Sequence, residues 1–591
     1  MSRPKSNSKN RYAVVRVIAM IALICLIGRL FYIQIIKHSK YEQIAVSQQT
    51  QDIAIEAKRG TITDRDGNIL AISATAYKVV MAPKLIDSED LREKICDGLS
   101  SALSEDRDKI YEMTLKNVQS VEVVRRVEKD IADKVSDFIS EDKDYAAIIT
   151  VTEDPKRYYP NGNTLSTVLG LVGADNQGLE GLEYLYDDYL TGTAGKLVAT
   201  KTSIGTSMPF SYERQVDPKD GCTVELTVDL KMQAMLESEI NNARVEHNVQ
   251  NRIAGVIMDV NTGEILAMTS KPDFDPNENY VINDELTLEA LAAEFEVGSS
   301  EYYKAYNEKF AEYKKNKCLE AYEPGSTFKI FTASMALEEN LVSLEETFFC
   351  SGHLDIGPTR VNCHGSEHLK EGLANSCNPV FMTLGMRIGQ EKFYDYLTVF
   401  GLRDKTGVGL PGEQTGYHHS LKTMTTLDLA ESAFGQTFKL TPMQLISGVC
   451  SVINGGNYMQ PYIVRSITDS DGNTVVSNKP TVVRQTVSDE TSAIMREYLE
   501  FTADSSEKSH VDGYRIGGKT GTSQKLDTRV GQEDNDKRIA SYVCFAPADD
   551  PQIAVLVVVD EPDSEVQYGS YIAAPLGTSI IVQALNQLGI Y

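Results

Sequence analysis

A serine and a lysine three residues apart stand where a helix is predicted to begin. The segment is Glu323-Pro-Gly-Ser-Thr-Phe-Lys329, followed by the apolar run Ile330–Leu337. Because Pro is common in the first turn of a helix, Ser326 and Lys329 are expected to share one helix face. The lysine amine can then take the proton of the serine hydroxyl, and the helix N-terminus favours the developing negative charge. The pair predicts a serine nucleophile with a lysine base.

The Ser-x-x-Lys spacing is weak alone, since a chain of this length contains it about two or three times by chance. It also begins at Ser2, Ser6, Ser140 and Ser505. The first two lie in the N-terminal tail, and the others lie in polar, charged stretches. Ser326 alone combines the spacing with a helix start shaped by Pro and Gly.

A second polar group, Ser376-Cys-Asn378, follows the predicted helical stretch Leu369–Asn375. Its hydroxyl can relay a proton between a base and a leaving amine, and its amide can hold a substrate peptide group. Taken in isolation, a loop serine and an asparagine that caps a helix explain the same residues.

The third group is Gly517-Gly-Lys-Thr-Gly-Thr-Ser523, just before a predicted strand pair. Lys519 supplies positive charge, Thr520 and Thr522 can donate hydrogen bonds to a carboxylate, and Gly521 leaves room for a substrate backbone. A second Lys-Thr-Gly begins at Lys405, but it continues into a Pro- and Gly-rich loop. The motif at Lys519 is therefore favoured.

These three groups, in this order, form the Ser-x-x-Lys, Ser-x-Asn and Lys-Thr-Gly signature of penicillin-recognising serine enzymes. Their surroundings resemble the class B, monofunctional penicillin-binding proteins, closest to the division and sporulation peptidoglycan transpeptidases. Five further segments carry that resemblance: Arg59-Gly-Thr-Ile-Thr-Asp-Arg-Asp-Gly67, Arg157-Tyr-Tyr-Pro160, Gly178-Leu-Glu-Gly-Leu-Glu183, Ser270-Lys-Pro-Asp-Phe-Asp-Pro276 and Gly435-Gln436.

The resemblance implies an α/β transpeptidase domain of the penicillin-binding protein and serine β-lactamase type, with a central antiparallel sheet flanked by helices, over 220–591. An α+β pedestal, or dimerisation, domain is expected over 50–215. The implied reaction cross-links peptidoglycan stem peptides of lipid II-derived strands through an acyl-enzyme at Ser326. The implied oxyanion donors are the backbone N–H groups of Ser326 and Thr522. β-Lactams are the expected inhibitors. A homodimer is one possible oligomeric state, which the sequence does not decide.

One departure from the family is the pair Cys363-His364, where an aromatic residue often follows the cysteine. The chemistry needs no cofactor, but Cys363, His364 and Cys377 could bind a structural zinc. His368 is the alternative histidine, and Cys350 or Asp355 would complete the ligand set. A Cys350–Cys363 disulfide and unlinked buried thiols are two further interpretations.

The sequence also predicts the elements that hold these groups. Apolar alternation indicates strands at Tyr77–Met81, Cys222–Val228, Ile253–Met258 and Glu264–Met268. Two more are expected at Ile539–Phe545 and Ile553–Val559, before a terminal helix at 577–589. An acidic helical stretch is expected over 88–146. Strands near both ends of the second domain suggest one sheet closed by its first and last segments.

The almost wholly apolar segment 13–36 is long enough to cross a bilayer. Basic residues dominate before it, so 1–12 is expected in the cytoplasm and the catalytic domain outside. A cleaved signal peptide is the alternative. Arg29 and Gln34 are expected to face a membrane partner, such as a SEDS-family glycan polymerase of a division-type complex; snorkelling of Arg29 is the plainer explanation.

Composition and motifs narrow the function classes. The chain carries 58 Lys and Arg against 84 Asp and Glu, a net charge of −26, which argues against nucleic-acid binding. A β-lactamase would share the three groups, but it usually has neither anchor nor pedestal. A bifunctional synthase would carry a glycosyltransferase motif before residue 220, and a β-lactam sensor would have several membrane spans. A catalytically inactive scaffold is the remaining alternative function. Covalent labelling by penicillin distinguishes it from an enzyme.

Overall fold

A computed structural model describes residues 8–38, 40–41, 50–200, 214–249, 251–278, 280–349, 352–356, 359–362, 365–525, 537–563 and 566–590. The strands in chain order are Thr50–Ile55 (β1), Ile62–Thr63 (β2), Ile69–Ala74 (β3), Tyr77–Met81 (β4), Val121–Val127 (β5), Ile149–Glu153 (β6), Lys156–Tyr158 (β7), Gly195–Thr200 (β8), Arg214–Val216 (β9), Thr223–Leu226 (β10), Ile253–Asp259 (β11), Ile265–Lys271 (β12), His353–Ile356 (β13), Thr359–Asn362 (β14), Asn457–Met459 (β15), Val464–Thr468 (β16), Thr474–Ser477 (β17), Val482–Gln485 (β18), Gly517–Gln524 (β19), Arg538–Ala546 (β20) and Ile553–Asp560 (β21).

The α-helices in chain order are Ser8–Phe31 (α1), Glu89–Leu103 (α2), Arg107–Thr114 (α3), Lys129–Ser140 (α4), Lys143–Ile148 (α5), Ser166–Leu169 (α6), Gly181–Leu185 (α7), Asp187–Leu190 (α8), Leu230–Glu246 (α9), Glu285–Glu294 (α10), Ser300–Tyr313 (α11), Lys329–Glu338 (α12), Leu369–Ala374 (α13), Asn378–Ile388 (α14), Gln390–Val399 (α15), Thr426–Ser432 (α16), Pro442–Ile453 (α17), Asp489–Asp504 (α18) and Ala573–Leu588 (α19). Short 3₁₀ turns include Gly325–Phe328.

The chain divides into two compact units that interleave along the sequence. One unit comprises 1–57, 75–155 and 193–220, and the other comprises 58–74, 156–192 and 221–591. The boundaries expected from the sequence, 50–215 and 220–591, stay predictions.

The first unit contains the sheet β5-β4-β6, covered by helices α2 to α5, and the separate sheet β1-β8-β9. The predicted strand Tyr77–Met81 is confirmed as β4. The continuous helical stretch expected over 88–146 is wrong, because strand β5 interrupts it and pairs with β4. Strand β5 contains four valines and three charged residues in no regular alternation, and it lies in acidic surroundings, so its β-type character was concealed.

Helix α1 continues into a short π-helical turn and gives an apolar span, Tyr12–Ile36. Within the described residues it is the one helix long and apolar enough to cross a membrane. Its length agrees with the segment 13–36 expected from the sequence.

The second unit is built on a five-stranded antiparallel sheet in the order β12-β11-β21-β20-β19. Strands β11 and β12 form the predicted hairpin. Strand β11 then pairs with β21 near the C-terminus, which confirms that early and late strands of this domain share one sheet. The first predicted strand, Cys222–Val228, instead becomes β10 and pairs with β2 and β16 in another sheet. Helices α9 and α19 pack on one face, and α12 and α17 contribute to the core on the other.

A buried charge network ties the N-terminal segments of the second unit together. The Glu183 carboxylate accepts from Arg59 Nε at 2.5 Å and from Arg157 Nε at 2.7 Å. The Tyr159 hydroxyl also donates to Glu183, at 3.3 Å, and Arg157 donates to the backbone oxygen of Gly60. Three segments that the family resemblance singled out therefore meet at one carboxylate.

Replacing Glu183 with Gln should destabilise this unit strongly. The change removes the carboxylate that both buried guanidinium groups share, although Arg59 keeps an ion pair with Asp187 at 2.6 Å. The loss in the free energy of unfolding should be about 3 kcal/mol, the lower end of the range for a broken buried ion pair. Urea unfolding of the purified protein measures it. The matched control is Glu497→Gln, whose carboxylate is exposed and pairs with Lys370 at 2.7 Å; its cost should stay below about 1 kcal/mol. Equal costs for the two variants would contradict the assignment.

Candidate active site

Ser326 lies in the 3₁₀ turn that leads directly into helix α12, and Lys329 is the first residue of that helix. The Thr327 hydroxyl donates to the Pro324 carbonyl oxygen at 2.8 Å and closes the turn. Ser326 is half-buried, whereas Lys329 is fully buried. The helix start predicted from the sequence is confirmed, and it presents the serine at the helix N-terminus.

The Lys329 amine is held by three oxygens from the Ser-x-Asn segment. Its Nζ donates to the Ser376 carbonyl oxygen at 2.6 Å, to Ser376 Oγ at 2.9 Å and to Asn378 Oδ1 at 2.6 Å. The rings of Phe381 and Phe434 lie 5.4 and 6.0 Å from the amine. The structure thus brings together Lys329, Ser376 and Asn378, which are far apart in the sequence.

Burial decides the protonation of this amine. Removal from water disfavours the charged form, and the nearby Lys519 charge repels it further, so the pKa of Lys329 lies well below its ordinary value. A neutral amine has a lone pair that can take a proton, which an ammonium lacks. The environment therefore suits Lys329 to act as a base.

Ser376 and Asn378 occupy the junction between helices α13 and α14. Ser376 has φ of 56°, in the left-handed region that non-glycine residues rarely adopt. Asn378 is the first residue of α14 and is followed by Pro379, which suits a first helical turn. The Asn378 side chain contacts Lys329, so an interpretation in which it only caps a helix leaves that contact unexplained.

Lys519, Thr520, Gly521 and Thr522 lie on β19, the edge strand of the five-stranded sheet. Successive side chains alternate between the two faces. Lys519 is buried and donates to the Thr520 carbonyl oxygen at 3.0 Å, while Thr520 and Thr522 are half-buried. Burial lowers the pKa of Lys519 to about 8.

Glycines allow the serine turn and the edge strand to approach each other. Gly325 has φ of +57°, and a Cβ there would lie 2.8 Å from the Thr522 carbonyl oxygen. Its N–H donates to the Gly435 carbonyl oxygen at 3.0 Å, and a Cβ on Gly435 would lie 1.8 Å from the Gly325 oxygen. A side chain at Gly325 would push the serine turn away from β19, and a side chain at Gly435 would collide with the backbone of the serine turn.

Sequence reasoning missed three residues that build the site. The Gly569 N–H donates to Thr522 Oγ1 at 3.0 Å, which leaves the threonine proton for a ligand. Phe381 and Phe434 enclose the Lys329 amine. Phe381 is an apolar position of helix α14 and Phe434 lies in the turn after helix α16, and neither pattern indicates a ring beside an amine. Gly569 stands in a segment without motif or periodicity.

The second Lys-Thr-Gly, at Lys405, has a different environment. The Thr406 N–H and hydroxyl both donate to Glu413 Oε1, at 2.6 and 2.5 Å, and the Gly407 N–H donates to Glu413 Oε2. These contacts stabilise the loop that the sequence indicated and occupy the threonine hydroxyl.

The proposed zinc ligands fall largely outside the described residues, among them Cys350, Cys363 and His364. Cys377 is buried directly before helix α14. In the described part of the chain, no group of three or more His, Cys, Asp or Glu side chains is arranged to hold a metal ion. The zinc hypothesis therefore stays a prediction.

Comparison with known proteins identifies the family. The family model for the penicillin-binding protein transpeptidase domain matches residues 253–582, and that for the penicillin-binding protein dimerisation domain matches 54–226. The chain belongs to the penicillin-binding protein transpeptidase family. Its transpeptidase chemistry requires no cofactor, and the resemblance to class B penicillin-binding proteins is confirmed.

Named relatives match this chain along nearly its whole length. Stage V sporulation protein D of Bacillus subtilis is 34% identical over 98% of this chain and 86% of the relative. Peptidoglycan D,D-transpeptidase FtsI of Escherichia coli is 27% identical, over 98% and 92%. Penicillin-binding protein 2X of Streptococcus thermophilus has the same fold, with a TM-score of 0.71 and 22% identity over 91% of this chain and 80% of that structure. The expected fold class is confirmed.

The lowered pKa of Lys519 predicts a pH profile for penicillin acylation. Lys519 must be charged to attract a carboxylate, so the second-order acylation rate should fall as the pH rises through about 8. The Lys519→Arg variant keeps its charge at all these pH values, because arginine does not deprotonate there. Its alkaline limb should disappear even if its maximum rate is lower. An unchanged limb near pH 8 in this variant would assign the limb to another group.

Proposed function

We propose that the chain is a membrane-anchored serine D,D-transpeptidase that cross-links peptidoglycan stem peptides through an acyl-enzyme at Ser326. The observation that supports it most is the buried Lys329 amine, whose pKa lies well below its ordinary value and which Ser376 and Asn378 hold one helical turn from the serine. A serine at a helix N-terminus beside such an amine is an activated nucleophile.

In the proposed reaction, Ser326 Oγ attacks the carbonyl carbon of the penultimate D-Ala while Lys329 takes the hydroxyl proton. The N–H groups of Ser326 and Thr522 stabilise the oxyanion. The peptide bond then breaks, the terminal D-Ala leaves with a proton relayed through Ser376, and the donor stem stays as an ester on Ser326. An acceptor amine attacks this ester, loses a proton and releases the serine.

Recognition of the donor is assigned to strand β19. The charged Lys519 attracts the terminal carboxylate, and the hydroxyls of Thr520 and Thr522 donate to it. Gly521 leaves the strand edge open, so that the stem peptide can lie along it as an additional strand. A β-lactam carries an equivalent carboxylate and would acylate Ser326 in the same way.

The cellular role proposed for this enzyme is wall synthesis at the division septum or in the developing spore. Relatives with matches along nearly the whole chain bear names of both kinds, stage V sporulation protein D and FtsI. Fluorescent tagging of the protein in living cells distinguishes them: a signal at midcell supports division, and a signal on the forespore supports sporulation.

The N-terminal span is proposed to anchor the enzyme with 1–12 in the cytoplasm and the catalytic unit outside. Arg29 lies near the end of the span, 5.9 Å from the Tyr32 ring. A charged residue at this depth is tolerated when it faces a partner helix or reaches the interface. We assign it, with Gln34, to contact with a SEDS-family glycan polymerase, which would supply the strands that this enzyme cross-links.

Replacing Ser326 with Ala should abolish covalent labelling by fluorescent penicillin, because no ester can form. The matched control is Ser334→Ala in the same helical segment, whose hydroxyl donates to the Ile330 carbonyl oxygen and should be dispensable for labelling. Labelled protein is read on a denaturing gel, with circular dichroism to show that both variants fold. Persistent labelling of the Ser326 variant would contradict the assignment.

Replacing Thr520 with Val should lower the acylation rate by about tenfold, the loss of one hydrogen bond to a charged group. Stopped-flow acylation by a chromogenic β-lactam measures the rate. Thr406→Val is the control for the second Lys-Thr-Gly, since its hydroxyl already donates to Glu413. A slower reaction in the Thr406 variant than in the Thr520 variant would move the carboxylate site to Lys405.

Exchanging the first 40 residues for an unrelated single-span anchor should leave penicillin labelling intact, because the reaction uses residues of the second unit. Complementation of a deletion strain should be lost, because the exchange removes the proposed contacts of Arg29 and Gln34 together with the original span. A second chimera that restores only these two residues tests how much of the lost complementation is due to them. Full complementation by the first chimera would reduce the span to a tether.

A further inference from the structure

Helix α10 is apolar on two opposite faces, and the protein covers one of them. On the inner face, Leu288 packs against a small, mainly aromatic cluster, and Leu291 is buried. Leu291 is the one residue of α10 that the structure buries. Leu286, Ala290 and Ala293 follow the spacing i, i+4 and i+7, which places them along one line on the opposite face. This second apolar line has no role in the fold of the described chain.

The α10 stripe, formed by Leu286, Ala290 and Ala293, is exposed to solvent. Leu286 is 47% exposed, and both alanines are exposed as well. Val297, in the turn that follows the helix, is 66% exposed. A surface helix of a globular protein normally has one apolar face, turned towards the core, and polar residues opposite it. An exposed apolar line at helical spacing therefore marks a surface that another molecule covers.

The charges beside the stripe are all negative. Helix α10 contains three glutamates and no basic residue, and helical spacing places Glu289 on one side of the stripe and Glu294 on the other. Both are exposed. Over 284–313, the ion pairs in the described part of the chain use Asp284 and Glu312 instead. Glu294 also stands in the last helical turn, where the helix dipole disfavours a negative charge, so a cation from outside would stabilise it.

The helix that carries the stripe is held at both ends of its hairpin with α11. At the start of α10, the Asp284 carboxylate accepts from the Thr287 N–H at 3.1 Å and from Arg244 at 2.8 and 2.9 Å. At the end of α11, Arg252 donates to the Glu312 carbonyl oxygen at 2.6 Å. The stripe is therefore a preformed surface, and a partner that binds it need not order the helix first.

Charge complementarity decides which occupant fits. A second copy of this chain would bring the same glutamates to the same line, where like charges repel each other. An anionic lipid surface attracts basic segments and would repel this one. A helix with an apolar line between lysines or arginines would bury Leu286 and pair with Glu289 and Glu294. The two alanines of the stripe leave room for the backbone of such a helix to approach closely.

We propose that the α10 stripe binds a basic amphipathic helix of another protein, with its apolar residues on the stripe and its lysines or arginines at Glu289 and Glu294. About three helical turns bury less surface than a standard protein–protein interface, so the contact is weak by itself. Confinement of both proteins at the membrane where this chain is proposed to be anchored raises their effective concentration. The proposal does not rest on the transpeptidase reaction.

Photo-cross-linking in living cells tests the proposal with the full-length protein. p-Benzoylphenylalanine replaces Ala290, and mass spectrometry identifies the molecule joined to it after irradiation. The expected adduct is with another protein, within a helical segment whose apolar line is flanked by lysines or arginines. The control position is Ala311, an exposed residue of α11, which should not give this adduct. No adduct at position 290, an adduct only with a second copy, lipid or glycan, or a partner segment without basic residues would overturn the proposal.

Charge reversal locates the contact. The double variant Glu289→Lys with Glu294→Lys should lower the yield of the adduct about tenfold, because it places like charges across the interface. The matched control is Glu301→Lys with Glu308→Lys, which changes the net charge of the chain equally but lies on α11. It should leave the yield unchanged. Equal losses in the two double variants would indicate only long-range attraction to an acidic chain and would overturn the docking site.

The cross-linked segment, made as a synthetic peptide, tests the ionic and apolar parts of the contact separately. Its binding to the purified full-length protein should weaken about fivefold between about 0.05 M and about 0.5 M NaCl, because salt screens exposed ion pairs. Leu286→Gln should weaken it about tenfold at either concentration, through the loss of one apolar contact. Salt-independent binding, or wild-type binding by Leu286→Gln, would contradict the proposal. Penicillin labelling should match the wild type in every variant, so this test and that of the proposed function are independent.

Discussion

The burial of one lysine amine is the constraint on which the active site depends. Removal from water lowers the pKa of a lysine unless a carboxylate compensates, and the three acceptors around Lys329 are all neutral: a carbonyl, a hydroxyl and an amide oxygen. A carboxylate in their place would stabilise the ammonium and remove the base. The Ser-x-Asn segment thus satisfies the hydrogen-bonding capacity of the amine while leaving its pKa low.

This constraint explains unusual backbone features around the site. Ser376 must offer both its carbonyl and its hydroxyl to one amine, and its left-handed backbone, with φ of 56°, accompanies that double contact. Gly325 lets the serine turn approach β19, and Gly435 lets its own segment approach that turn, in both cases to distances that a Cβ would forbid. The five-stranded sheet fixes β19, so the serine turn, the Ser-x-Asn loop and the strand come together although they lie far apart in the sequence.

The sequence was informative where the chemistry is local. Ser326 and Lys329 are one helical turn apart, and alternating apolar residues indicated the hairpin Ile253–Lys271. It was misleading at Val121–Val127, where the charged residues between the valines favoured a helix. The segment forms a strand because it pairs with the neighbouring strand β4. Gly569 could not be predicted, because its role comes from one tertiary hydrogen bond to Thr522 and leaves no local pattern.

Two buried carboxyl groups of the same unit differ in how their desolvation is compensated. Glu183 receives hydrogen bonds from Arg59, Arg157 and Tyr159, which compensate for its desolvation, and it serves as a structural centre. Glu323 is buried nearly as deeply, but among the described residues its Oε2 receives no hydrogen bond. Its desolvation is therefore not offset as that of Glu183 is, and burial raises the pKa of Glu323 to about 6.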